Sequence, residues 1–83
     1  METRFLVDAD ALRIHLALAR CSIRALGRDI GRSHSAILGW LSGRPVGLKL
    51  LTAIAQTLTS RLGTTVDPAA LVASEVPDQR WRP

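Results

Sequence analysis

The feature that most constrains this chain is the stretch SIRALGRDIGRSHSAILGW, residues 22–40, in which two short apolar-periodic segments meet at one glycine. Ile23, Leu26 and Ile30 share a helical face before Gly31, and Ile37, Trp40 and Leu41 share one after it. Ser22 and Ser33 each stand where a hydroxyl caps the free amides of a helix start. Gly31 stands where a left-handed residue ends a helix. Barely three residues are left for the turn, so two helices must fold back sharply on each other.

The rest of the chain reads as helical too. Asp8 or Asp10 caps a first helix running to about Arg20, with Leu12, Leu16 and Ala19 inward and Ile14 and Leu18 widening that face. From Gly47 to Ser60, Leu48, Leu51, Ile54, Ala55 and Leu58 recur at steps of three and four and predict a fourth helix, closed by Gly63. Asp67-Pro68 is a cap followed by proline at the first helical position, opening a short fifth helix through Ala73. Residues 74–83, with two prolines and mixed charge, read as a loose tail. The expectation is therefore an all-α fold, a bundle of about five short helices containing a helix-turn-helix. One domain spans residues 1–74 and a C-terminal tail spans 75–83.

Composition narrows the function. The apolar share of 47% in 83 residues supports one modest core, and the absence of tyrosine with a single phenylalanine favours helices over sheets. A lone cysteine, Cys21, excludes an internal disulfide, and it reads as a small core residue in a reducing compartment. No apolar run approaches membrane-spanning length, and the N-terminus lacks the layout of a signal peptide. These features together predict a cytoplasmic protein. Between Ala11 and Val66 stand Arg13, Arg20, Arg24, Arg28, Arg32, Arg44, Lys49 and Arg61 against one acid, Asp29. Arginine's planar, bidentate donors suit phosphate, although a solvated basic face is the plainer reading of charge alone. There is no Ser/His/Asp or Cys/His set, phosphate loop or metal cluster, so no enzyme and no cofactor is expected. His15 has no partner pattern and reads as a surface or satisfied core histidine.

At residues 22–44 the pattern resembles the DNA-binding core of the phage repressor and Cro, or XRE-like, family, and it aligns without a gap. Leu26 stands at the family's buried leucine, and Gly27 where a very small residue lets the two helices cross. Gly31 matches the turn glycine, Ile37 the inward aliphatic and Trp40 the bulky apolar residue of the recognition helix. Ser42-Gly43-Arg44-Pro45 resembles the exit loop, and residues 67–73 the usual fifth helix. The resemblance covers roughly residues 8–73 and implies a lambda repressor-like fold that reads the major groove of double-stranded DNA. It places Ser33, His34, Ser35, Leu38 and Gly39 at base edges, and Arg24, Arg28, Arg32, Ser42 and Arg44 at phosphates.

Four positions depart from the family. Ile23 replaces a backbone-contacting glutamine. Leu16 and Leu41 replace an arginine–glutamate pair and are expected to touch, and Arg32 replaces a core valine with a charge. The resemblance implies a small transcriptional repressor without a small-molecule effector, and a possible homodimer on an inverted-repeat site. Phe5-Leu6-Val7 or the tail are the candidate self-contacts. Two other functions compete: an antitoxin-like or anti-regulator module binding a protein partner through the Trp81-containing tail, and a sequence-blind structural DNA binder.

Overall fold

The computed structural model describes residues 3–76. A strand β1 (Arg4–Val7) leads into α1 (Ala9–Leu18), α2 (Ile23–Ile30) and α3 (His34–Leu41). A two-residue strand β2 (Val46–Gly47) precedes α4 (Leu48–Leu62). One 3-10 turn (Pro68–Leu71) then runs directly into β3 (Val72–Val76).

The helix starts follow from their caps. Asp8 Oδ1 accepts from the Ala11 amide at 3.0 Å, Ser22 Oγ from Ala25 at 3.0 Å and Ser33 Oγ from Ala36 at 3.1 Å. Asp67 Oδ1 accepts from the Ala69 amide at 2.9 Å, but the segment it opens makes only a single 3-10 turn instead of the expected fifth helix.

The all-α expectation is overturned by a three-stranded antiparallel sheet of order β2-β1-β3, which makes the fold a mixed α/β one. In β1, Arg4 and Phe5 pair with Gly47 and Val46 on one side. On the other side the same strand pairs Arg4 with Val76, Phe5 with Glu75, Leu6 with Ser74 and Val7 with Val72. Each strand is short and finds its partner far along the chain, so no hairpin signal announces it. Residues 74–76 therefore belong to a strand, and the rest of the expected tail, residues 77–83 with Trp81, lies outside the described residues. Phe5-Leu6-Val7, a candidate self-contact in the sequence, is instead the central strand of the protein's own sheet.

Leu12, Leu26, Ile37, Val46, Leu51, Ile54, Leu58 and Leu71 are fully buried in one core, each stabilising the fold by about 1.5–3 kcal/mol. Leu16 is buried in the same cluster, and Leu41 and Ile23 pack against it. Ile23 thus serves the core in this chain. Three apolar residues expected inward are not: Ile14, Leu18 and Leu48 are 59%, 68% and 57% exposed. Ile14 and Leu18 sit two residues beyond Leu12 and Leu16, which turns them away from the face those leucines bury. Leu48 is the first residue of α4, ahead of the turn that meets the core.

The sheet positions the helix-turn-helix. Buried Val46 clamps the exit from α3 onto β1, while the Asp8 amide donates to the Leu71 carbonyl at 2.8 Å and ties the start of α1 to the turn before β3.

Candidate nucleic-acid interface

Helices α2 and α3 end on the same pattern, Gly-x-x-x-Gly-Arg: Gly27 to Arg32 and Gly39 to Arg44. In each, the second glycine adopts the left-handed backbone, with φ of 71° at Gly31 and 113° at Gly43. The arginine amide then reaches back to the carbonyl of the first glycine, Arg32 to Gly27 at 2.8 Å and Arg44 to Gly39 at 2.9 Å. This is the six-to-one bond of a Schellman ending, and it reverses the chain within two residues.

The first glycine has a different job in each helix. A Cβ on Gly27 would lie 2.6 Å from the Arg32 carbonyl oxygen and 3.4 Å from Ile37 Cδ1, so only glycine admits this approach of the turn to α2. On Gly39, the Cβ position is 3.6 Å from Arg44 Nε and 3.7 Å from its Cδ and Cζ, so the Arg44 side chain lies across α3 there.

Arg24 and Arg28, one turn apart on α2, line an open concavity of about 460 Å³ with Arg32 and His34. The three arginines are exposed and His34 is half-buried. Among the described residues these arginines have no carboxylate partner, because Asp29 is held at 2.9 Å by Arg61 of α4. Asp29 beside it raises the Arg61 guanidinium pKa above its ordinary value. The one acid of the basic body is thereby turned toward α4, and α2 keeps an uncompensated cationic edge.

Beside that edge, α3 is buried through Ile37 and Trp40 and presents the opposite side outward. Ser35 is exposed, Leu38 is 38% exposed and Gly39 is half-buried. Ser33 Oγ is engaged as a cap acceptor, which leaves its hydroxyl proton available. Ser42 is exposed beyond the helix end, and its amide donates to the Leu38 carbonyl at 3.0 Å. Leu26 and Gly27 are buried on α2.

The structure thus gathers Arg24, Arg28, Arg32 and His34 on one concave edge and sets Arg44 apart, on the far turn of α3. The Arg44–Gly39 contact escaped the sequence reading; the repeated Gly-x-x-x-Gly-Arg pattern was the signal for it. His15, off this face, donates from Nδ1 to the Ala11 carbonyl at 2.8 Å within α1, which occupies that ring nitrogen. No helix among the described residues is long and apolar enough to cross a membrane. No protein-family model, curated protein or solved structure gives a significant match to the chain.

Proposed function

We propose that this protein binds double-stranded DNA sequence-specifically, reading the major groove with α3, and that it acts in the cytoplasm as a small phage-type transcriptional repressor. The observation that supports this reading is the cationic edge of Arg24, Arg28 and Arg32 set directly beside the exposed side of a capped, two-turn helix.

The division of labour follows from chemistry. Guanidinium groups on α2 and the turn take phosphate oxygens and set the register of the protein on the duplex. Three such contacts contribute about −2.7 to the slope of log affinity against log salt. Ser33, His34 and Ser35 at the start of α3 then meet base edges, and Leu38 is placed for a thymine methyl. Because this face carries few base-specific donors, part of the sequence preference rests on DNA shape. Repression follows from occupancy of an operator, which excludes polymerase, and pairing of two copies on an inverted repeat doubles the sequence read. The role needs no cofactor or small-molecule effector.

Selection from a random duplex library at near-physiological salt, followed by sequencing of what is retained, tests the proposal. A short enriched motif is the expected result, and an inverted repeat within it marks a dimer. Retention without any motif overturns sequence-specific reading. No retention at all overturns DNA binding and shifts attention to a protein partner.

A further inference from the structure

The last turn of α3 has nothing of its own with which to read polar base edges. Beyond His34 and Ser35, the outward residues are Leu38, which is apolar, and Gly39, which has no side chain. Yet position 39 is covered. The Arg44 Cδ, Nε and Cζ atoms lie 3.6–3.7 Å from the point a Gly39 Cβ would occupy. In a Schellman ending, the residue that sends its amide back to the helix also tends to pack its side chain on the residue whose carbonyl it meets, usually through an apolar contact. Here the partners are Arg44 and Gly39, so the arginine stem fills that contact and carries the guanidinium onto the outward face of α3. The equivalent space above Gly27 is taken by the Arg32 carbonyl, and the Arg32 side chain instead joins the α2 edge.

Position 39 follows Ser35 by one helical turn and shares its face. Arg44 is exposed, and its guanidinium has no hydrogen-bond or carboxylate partner among the described residues. Gly43, with its φ of 113°, and the bond from the Arg44 amide to the Gly39 carbonyl hold the loop that presents it.

We infer that Gly39 and Arg44 form one guanine-reading subsite, in which the exit loop supplies the side chain that the helix lacks. The inference rests on the DNA-reading proposal above and reassigns Arg44 from phosphate to base edge. A guanidinium fork matches the O6 and N7 acceptors that guanine presents in the major groove, and no other base pair edge offers both. A contact of this kind separates guanine from the other bases on the order of tenfold or more. Gly39 is the enabling residue, since any long side chain there competes for the same space.

The test runs the random-duplex selection on the parent protein, Arg44→Ala and Arg28→Ala, followed by affinity measurements on two duplexes that differ only at the guanine column. Arg44→Ala is expected to erase one guanine column and leave the rest of the motif, while Arg28→Ala weakens every sequence alike. If Arg44→Ala keeps the full motif and lowers all affinities by a common factor, Arg44 is a phosphate contact and this inference alone is overturned. A parent selection without any motif overturns the sequence-specific reading and this subsite with it. Both positions are exposed, and a thermal melt of each variant verifies that the comparison is between folded proteins.

Discussion

Replacing Gly27 with alanine tests the geometry on which the helix-turn-helix depends. The added methyl group would sit 2.6 Å from the Arg32 carbonyl oxygen, whereas carbon–oxygen contacts normally begin at about 3.3 Å. The turn must therefore retreat by about 0.7 Å. That oxygen belongs to backbone one residue before the Ser33 cap, so it cannot rotate away, and the retreat tilts the start of α3. Overpacking of this kind costs about 1–3 kcal/mol, while exchanging glycine for alanine within a helix returns about 0.5–1 kcal/mol. Taken at the middle of both ranges, the net loss is about 1.3 kcal/mol and corresponds to a melting temperature lower by roughly 5–10 °C for a chain of this size. Gly39→Ala is the matched control, because its methyl meets Arg44 atoms at ordinary contact distances of 3.6–3.7 Å. With the same gain in helix propensity and no clash, it is expected to raise the melting temperature by about 2–8 °C. Thermal melts followed by far-UV circular dichroism, on the parent and both variants, read the difference in sign. If Gly27→Ala melts at or above the parent temperature, the close approach of the turn to α2 is refuted.

Arg28→Ala and Arg32→Ala are each expected to weaken binding to all duplexes alike and to reduce the salt slope by about 1, measured by titration at several salt concentrations. A loss confined to one sequence would instead make either residue a base reader. His34→Ala should change the preferred base at one position in a repeated selection, and an unchanged motif would move the reading face elsewhere. Burial pushes the Cys21 thiol pKa up, opposed by nearby Arg61 and reinforced by Asp29. Its reaction with a disulfide reagent at mildly alkaline pH is therefore expected to be much slower in the native protein than in denaturant. Because the folded state favours the neutral thiol, the contribution to stability is complete below the unfolded pKa of about 8.5 and is lost as pH rises through the higher folded value. Denaturant titrations across that range should show the alkaline loss in the parent and its absence in Cys21→Ala.

Helix boundaries were legible because their determinants are local. Ser22, Ser33 and Asp8 cap helices within three residues of themselves, and Gly31 turns the chain by its own backbone. A face repeating every three or four residues likewise identifies Leu51, Ile54, Ala55 and Leu58 as core without reference to any neighbour. Ile14 and Leu18 each lie two residues from Leu16, and residues two apart on a helix do not share a face, so the spacing that marks Leu12 and Leu16 as core does not extend to them.

The amino-acid order alone determined the four α-helices, the glycine turn and the concentration of arginine around it, all of which arise from contacts a few residues apart. Tertiary structure decided the sheet. Phe5 meets Val46 only after three helices, and Glu75 only after four and the final turn, have brought those segments together, and a four-residue strand has too little pattern to announce distant partners. It also decided which arginines act together. Asp29 pairs with Arg61 from the far end of α4, which leaves Arg24, Arg28 and Arg32 to share one edge. Arg44, identical to them in chemistry, is directed onto Gly39 instead, because the path of the loop beyond a left-handed glycine sets where a side chain points.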